Sequence, residues 1–184
     1  MERDDYMKLE KGLIQVYTGD GKGKTTAALG QGLRSSGRGL KVCMVQFLKS
    51  GDTGELHSVE KLHPLFEIFR FEKKRGFFWT LTDQEKRELK EDIEEGFEFI
   101  KDVVTNEKCD VMIIDELLGV LGNKLLEVND VLELLKKKPD TMEIIITGRN
   151  VPKEIIDAAD LVTEMKEIKH YFRNGIPARE GIES

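Results

Sequence analysis

The sequence predicts a three-layer α/β domain, a mostly parallel central sheet with helices on both faces. Three observations carry this expectation. Apolar runs of strand length alternate with helix-like segments along the whole chain. The runs at 42–47 and 111–114 are apolar almost throughout, as parallel strands covered on both faces are. A glycine-rich turn stands between the first such run and the first helical segment. With 184 residues, the chain has room for one sizeable domain, and no linker or repeat divides it. Residues 1–10 are mostly polar and read as a loose arm before a single domain over 11–184.

Leu13 to Tyr17 reads as the first strand. A helix follows from Gly23 to about Ser36, with Gly37 as its stop. Val42 to Phe47 is the second strand. Residues 48–64, with Gly51, Gly54 and Pro64, read as a loop holding a short helix, and Phe66 to Phe71 alternates like a strand. Thr82 or Asp83 can cap a long helix reaching about Val104. Its apolar stripe is Leu89, Ile93, Phe97, Ile100 and Val104, on an otherwise acidic helix. Val111 to Ile114 is a buried strand, Val131 to Lys137 a helix starting near Asn129, and Glu143 to Ile146 a strand. Pro152 to Ala159 reads as a short helix, Leu161-Val162 as a brief strand, and the tail from Lys166 shows no period.

The net charge of −6 argues against a nucleic-acid surface. Cys43 and Cys109 lie in apolar runs and read as small buried hydrophobes, not as a disulfide scaffold. No apolar stretch approaches membrane-spanning length and no signal-peptide pattern is present, so a cytoplasmic protein without membrane partners is expected.

The densest chemistry lies in Thr18-Gly19-Asp20-Gly21-Lys22-Gly23-Lys24-Thr25-Thr26. Strand, glycine-rich turn and helix start together form the context of a triphosphate cradle. The glycines let backbone N–H groups turn around an anion, and the helix N-terminus adds donors and a favourable dipole. Lys24 can reach a phosphate oxygen, and Thr25 carries the hydroxyl that a phosphate-bound Mg²⁺ uses. The strict motif has glycine where this chain has Thr18. A second element is the apolar strand ending in Asp115-Glu116. Asp115 can hold Mg²⁺ through water or through Thr25; Glu116 can orient water, bind metal or take a proton. Arg149, after Thr147-Gly148 at another strand end, can clamp phosphate with its planar donor fork or form a surface ion pair. Phe77, Phe78 and Trp79 can cover a planar ligand or pack under a loop. His170, beside Lys169, reads equally as structural or functional. It and the other histidines, His57 and His63, form no zinc-ligand pattern with the cysteines.

In this order, from about Lys11 to Glu183, these segments resemble the P-loop corrinoid adenosyltransferases. The landmarks are Gly19 to Ala28, Val45-Gln46-Phe47-Leu48-Lys49, Gly76-Phe77-Phe78-Trp79, Asp115-Glu116-Leu117 and Thr147-Gly148-Arg149-Asn150. Ala159 to Met165, Lys169-His170 and Gly181-Ile182-Glu183 complete the set. The resemblance implies a three-layer P-loop nucleoside triphosphate hydrolase-like fold, ATP as co-substrate, a reduced corrinoid as substrate, and Mg²⁺ or Mn²⁺. It implies a reversed ATP pose in which cobalt(I) attacks C5′ and inorganic triphosphate leaves. Lys24, Thr25 and Glu116 are then catalytic. Gly19, Asp20, Gly21, Lys22, Gly23, Lys24, Thr25, Thr26 and Arg149 bind nucleotide, with the Gly21 and Gly23 amides facing phosphate. Thr25, Asp115 and Glu116 hold metal, and Phe77, Phe78 and Trp79 face the corrinoid. Lys169 and His170 belong to a C-terminal element near the nucleotide. A homodimer and an electron-donating flavoprotein are the implied partners. Asp20 stands where the family usually has Asn, Arg179 where Gln is common, and Leu118-Gly119 where more polar or aromatic residues are common. The residues alone leave two alternatives. A P-loop ATPase or small-molecule kinase would release ADP, and a nucleotide-binding regulator would bind without turnover.

Overall fold

The structure is a computed structural model that describes residues 8–76 and 78–182. Six strands form one sheet: β1 (Ile14–Thr18), β2 (Val42–Gln46), β3 (Phe66–Phe69), β4 (Val111–Asp115), β5 (Glu143–Thr147) and β6 (Leu161–Glu164). Their order across the sheet is β3-β2-β4-β5-β1-β6, and every neighbouring pair is parallel. The helices are α1 (Lys24–Ser36), α2 (Gly54–Glu60), α3 (Asp83–Thr105), α4 (Leu117–Gly122), α5 (Val128–Lys136) and α6 (Lys153–Ala158).

Alternation along the central strands fills two separate cores. Val45, Met112, Ile114, Ile144 and Ile146 face one, beneath α3, α4, α5 and α6. Val42, Met44, Val111, Ile113 and Ile145 face the other, beneath α1 and α2. Burial on both faces explains why β2 and β4 are apolar up to their last residues, Gln46 and Asp115, rather than alternating. Leu9, at the end of the expected loose arm, packs against the second core.

α3 forms where its periodicity places it, with Leu89, Ile93, Phe97, Ile100 and Val104 buried. Thr82 caps it in a reciprocal box: its side chain accepts from the Glu85 amide, and the Glu85 carboxylate accepts from the Thr82 amide at 2.8 Å. α4 was not expected. Leu117-Leu118-Gly119-Val120-Leu121-Gly122 is too short to show a period, and two glycines weaken it as a helix. Burial of Leu117, Leu118, Val120 and Leu121 under the sheet stabilises it instead. Cys43 lies in β2, whereas Cys109 precedes β4; both are buried and unpaired as disulfides. In the tail, Tyr171–Asn174 form a 3-10 turn that no periodicity announces. Among the described residues, no helix is long and apolar enough to cross a membrane.

Candidate active site

Parallel strands end together, and here four polar residues do so under full or nearly full burial. Thr18, Gln46, Asp115 and Thr147 close β1, β2, β4 and β5. Register places Gln46 beside Asp115 and Tyr17 beside Thr147, so the polar ends converge on one point.

The turn after β1 is shaped by close approach as well as by conformation. Gly19 has φ 101, and a Cβ there would lie 2.4 Å from the Met165 carbonyl oxygen. Gly21 lies as close to the same segment and donates its N–H to that oxygen at 2.7 Å. The Gly21 amide, expected to face phosphate, is here engaged by Met165, the residue just past β6. Gly23, with φ 119, turns the chain into α1. Lys24 folds back over the turn, its Nζ donating to the carbonyl oxygens of Gly19 at 2.6 Å and Gly21 at 2.8 Å. Burial, then Arg149, lowers the Lys24 pKa. Lys22 donates to the Ile182 carbonyl at 2.7 Å, which brings the C-terminal tail onto the turn. Thr26 is exposed on α1.

Asp115 is the buried centre. Its Oδ1 accepts from Thr25 Oγ1 at 2.9 Å and from Thr147 Oγ1 at 2.6 Å. Its Oδ2 accepts from Gln46 Nε2 at 3.1 Å and pairs with Lys49 Nζ at 2.9 Å. Gln46 is held in turn by Arg70, whose Nε and Nη2 donate to Gln46 Oε1. Glu55 accepts from Gln46 and pairs with Arg70 at 3.4 Å. Burial pushes the Glu55 carboxyl up, but hydrogen bonds from Gln46, its own backbone and Thr53, with the Lys49 charge, leave it below its ordinary pKa.

Glu116 takes a left-handed backbone, φ 61, and its N–H donates to Thr147 Oγ1 at 2.9 Å. Burial and the neighbouring Asp115 raise its pKa. Its carboxylate folds against Gly119, where a Cβ would lie 2.7 Å from Glu116 Oε1. The Leu118-Gly119 pair that departs from the family pattern thus has a local reason: glycine leaves the space that this carboxylate occupies.

Thr25 and Asp115, joined by a hydrogen bond, with Glu116 next in sequence, are the residues that could hold a divalent cation. The Thr25 hydroxyl keeps lone pairs free while donating to Asp115, and a lysine ammonium already rests on the pair. Among the described residues no group of three or more His, Cys, Asp or Glu could hold a metal alone, so phosphate oxygens would have to complete the coordination.

Glu116 and Lys49, which border this network, line an open cavity of about 880 Å³. Lys24, Glu116 and Arg149 line the end expected to take nucleotide; Leu48, Glu72, Arg75, Phe78 and Trp79 also line the cavity. Five basic side chains (Lys24, Lys49, Lys73, Arg75 and Arg149) face two acidic ones (Glu72 and Glu116), as a polyanion requires. Trp79 is 77% exposed, whereas Phe78 packs partly into the core with Lys86 Nζ 5.6 Å from its ring centroid. Phe77 lies outside the described residues. Arg149 lies 3.9 Å from Asp20, and both are well exposed, so this pair offsets the unusual Asp20 carboxylate only weakly.

Lys169 and His170 do not line the cavity. Lys169 is exposed, and His170 Nδ1 accepts the Phe172 amide at 3.1 Å, capping the 3-10 turn. Arg179, the other departure, lies over the Tyr171 ring at 4.9 Å. Sequence reasoning gave no role to Gln46, Lys49, Glu72 or Thr147. A polar residue ending an apolar run, as at Gln46 and Thr147, is the one signal that could have found two of them.

Glu72 carries a measurable consequence. It lines the cavity, accepts the Leu48 amide at 2.7 Å, and burial raises its pKa from 4.5 to about 7. Between those values the folded chain holds a proton that the unfolded chain has released. Its contribution to stability is full below about pH 4.5 and lost as pH rises through about 7. Glu72→Gln is neutral throughout. Relative to the parent chain it is expected to gain about 2–3 kcal/mol between pH 4.5 and 8, measured by denaturant melts at both values.

Comparison with known proteins bears on the fold and the family. The fold resembles the flagellar accessory protein FlaH of Methanocaldococcus jannaschii, with TM-score 0.56 and 15% identity over 86% of this chain and 72% of that one. It also resembles a KaiC-like protein of Pyrococcus horikoshii, with TM-score 0.51 and 14% identity over 88% of this chain and 75% of that one. Among curated sequences, the corrinoid adenosyltransferase of a Sinorhizobium species is 37% identical over 95% of this chain and 81% of its own length. That of Escherichia coli K12 is 34% identical over 95% of this chain and 86% of its own length. Residues 10–184 match the family model described as ATP:corrinoid adenosyltransferase BtuR/CobO/CobP, and the chain belongs to that family.

Proposed function

We propose that this chain transfers the 5′-deoxyadenosyl group of ATP to cobalt(I) of a corrinoid and releases inorganic triphosphate. The observation that carries this reading is continuity. A single cavity runs from Lys24 and Glu116 to Phe78 and Trp79, joining a polyanion cradle to a wall suited to a large planar substrate.

The electron pair of cobalt(I) forms the cobalt–carbon bond at C5′. The C5′–oxygen bond breaks, and its electrons leave with the triphosphate. No protein nucleophile is needed, so the chain's contribution is positioning and electrostatics. Lys24 and Arg149 face the departing negative charge. Burial, then Arg149, lowers the Lys24 pKa, and a phosphate partner would favour its ammonium form. Thr25, Asp115 and Glu116 would hold Mg²⁺ or Mn²⁺, which when bound neutralises charge on the leaving group. Thr147 fixes both acidic residues, through the Asp115 carboxylate and the Glu116 amide. Phe78 and Trp79, with Phe77, would meet the corrin face and limit water near the reduced metal.

The wider setting follows the family. Residues 11–184 act as one domain in the cytoplasm, where two free cysteines stay reduced. A homodimer is supported by exposed apolar side chains at Leu161, Val162, Ile168 and Phe172. An electron-donating flavoprotein would supply the cobalt(I) state. The test is anaerobic incubation of the chain with Mg-ATP and chemically reduced cobalamin or cobinamide. A light-sensitive alkylcorrinoid spectrum is expected; an unchanged corrinoid spectrum with both substrates would reject the proposal.

A further inference from the structure

Lys49 is the one cation in direct contact with the proposed metal site among the described residues. Its Nζ lies 2.9 Å from Asp115 Oδ2, 3.4 Å from Thr25 Oγ1 and 3.7 Å from Glu55 Oε1. It therefore touches Asp115 and Thr25, two of the three residues that a phosphate-bound divalent cation would use. The contact is built, not incidental. Leu48 takes a left-handed backbone, φ 55, and Glu72 fixes its amide. That turn delivers the next side chain to Asp115. Glu55 keeps its own pairing with Arg70, so it does not depend on Lys49 for a counter-charge. Asp115, by contrast, is fully buried, and Lys49 is its sole direct cationic partner among the described residues. The Lys49 side chain is 26% exposed and lines the cavity, so it has room to leave.

We propose that Lys49 is a tethered cation that occupies the Asp115–Thr25 position in the nucleotide-free chain and yields it more readily to a divalent cation that arrives with phosphate than to a free one. This rests on the proposed metal–ATP reading. A free divalent ion must expel the ammonium into solvent, with nothing gained by the lysine. A nucleotide-borne ion brings phosphate oxygens that give the displaced ammonium a new partner. The exchange keeps Asp115 compensated in both states, which a buried carboxylate requires. It also favours entry of metal and nucleotide together, and it assigns Lys49 a second role as a contact to the leaving triphosphate.

The test is Mn²⁺ titration of the full, nucleotide-free chain, read by the electron paramagnetic resonance signal of free Mn²⁺. Lys49→Gln is expected to bind Mn²⁺ at least about tenfold more tightly than the parent chain, because a unit charge a few ångströms away is removed. Lys49→Arg should stay as weak as the parent, and Lys73→Gln, on the same cavity but away from Asp115, should change affinity little. No gain in Lys49→Gln, or an equal gain in Lys73→Gln, would overturn the inference. A second readout uses the unaltered chain. Saturating Mn²⁺ without nucleotide should raise the acetylation rate of Lys49 relative to Lys73; an unchanged ratio would also overturn it. Neither measurement involves turnover. Lost adenosyl transfer with intact Mn²⁺ exclusion would therefore reject only the functional reading, and the converse only this one.

Discussion

Lys24→Ala is expected to lower adenosyl transfer by about 10²–10³-fold while leaving the fold in place. The ammonium reaches over its own turn to two carbonyl oxygens and lies at the nucleotide end of the cavity. Removing it takes away a partly buried cation proposed to meet the leaving group. The hydrogen bonds it donates to those carbonyls are part-buried, so their removal costs about 1 kcal/mol of stability. Steady-state kinetics and thermal melting separate these effects: kcat/KM should collapse while the melting temperature moves by only a few degrees. Turnover within about threefold of the parent would remove Lys24 from the chemistry.

Asp115→Asn should fail in both respects. All the donors around this carboxylate, from Thr25, Thr147, Gln46 and Lys49, point at two oxygens with no solvent to replace them. An amide keeps the shape, and the Thr25 and Thr147 hydroxyls can rotate to accept from its N–H₂, but the buried negative charge is gone. It also leaves Lys49 without the charge that faces it. Breaking a buried pair from one side costs about 3–5 kcal/mol, and loss of the metal-site anion should reduce transfer by at least about 100-fold. Denaturant unfolding and the alkylcorrinoid assay measure the two losses. A variant with parental stability would show that the Asp115 network is not the structural centre described above.

How much of this was legible beforehand differs by element. The strands and the long α3 were legible because burial repeats at short sequence range, and the α3 stripe was found residue by residue. The phosphate turn and Asp115-Glu116 were legible because each is a contiguous run with its own chemistry. What was lost depends on register between strands far apart in sequence. Thr147 reaches Asp115 only because β5 pairs with β4, and Gln46 only because β2 pairs with β4 on its other side. Lys49 stood within a recognised segment, but its contact depends on a left-handed turn at Leu48 that no residue type announces. Gly19 and Gly21 suggest anion donors from sequence alone. Their closest constraint is the backbone of Met165, the residue just past β6, far along the chain. His170 was balanced between roles, and the structure gives it a capping bond. α4 escaped because packing, not propensity, holds it.

The central claim is that ATP is opened at C5′ and loses its phosphates as one piece. Phosphorus-31 NMR of a single-turnover reaction with Mg-ATP and reduced corrinoid tests it most directly. Inorganic triphosphate should appear in equal amount to the alkylated corrinoid, with no ADP. ADP and orthophosphate as the products would instead place the chemistry at the terminal phosphorus and contradict the account.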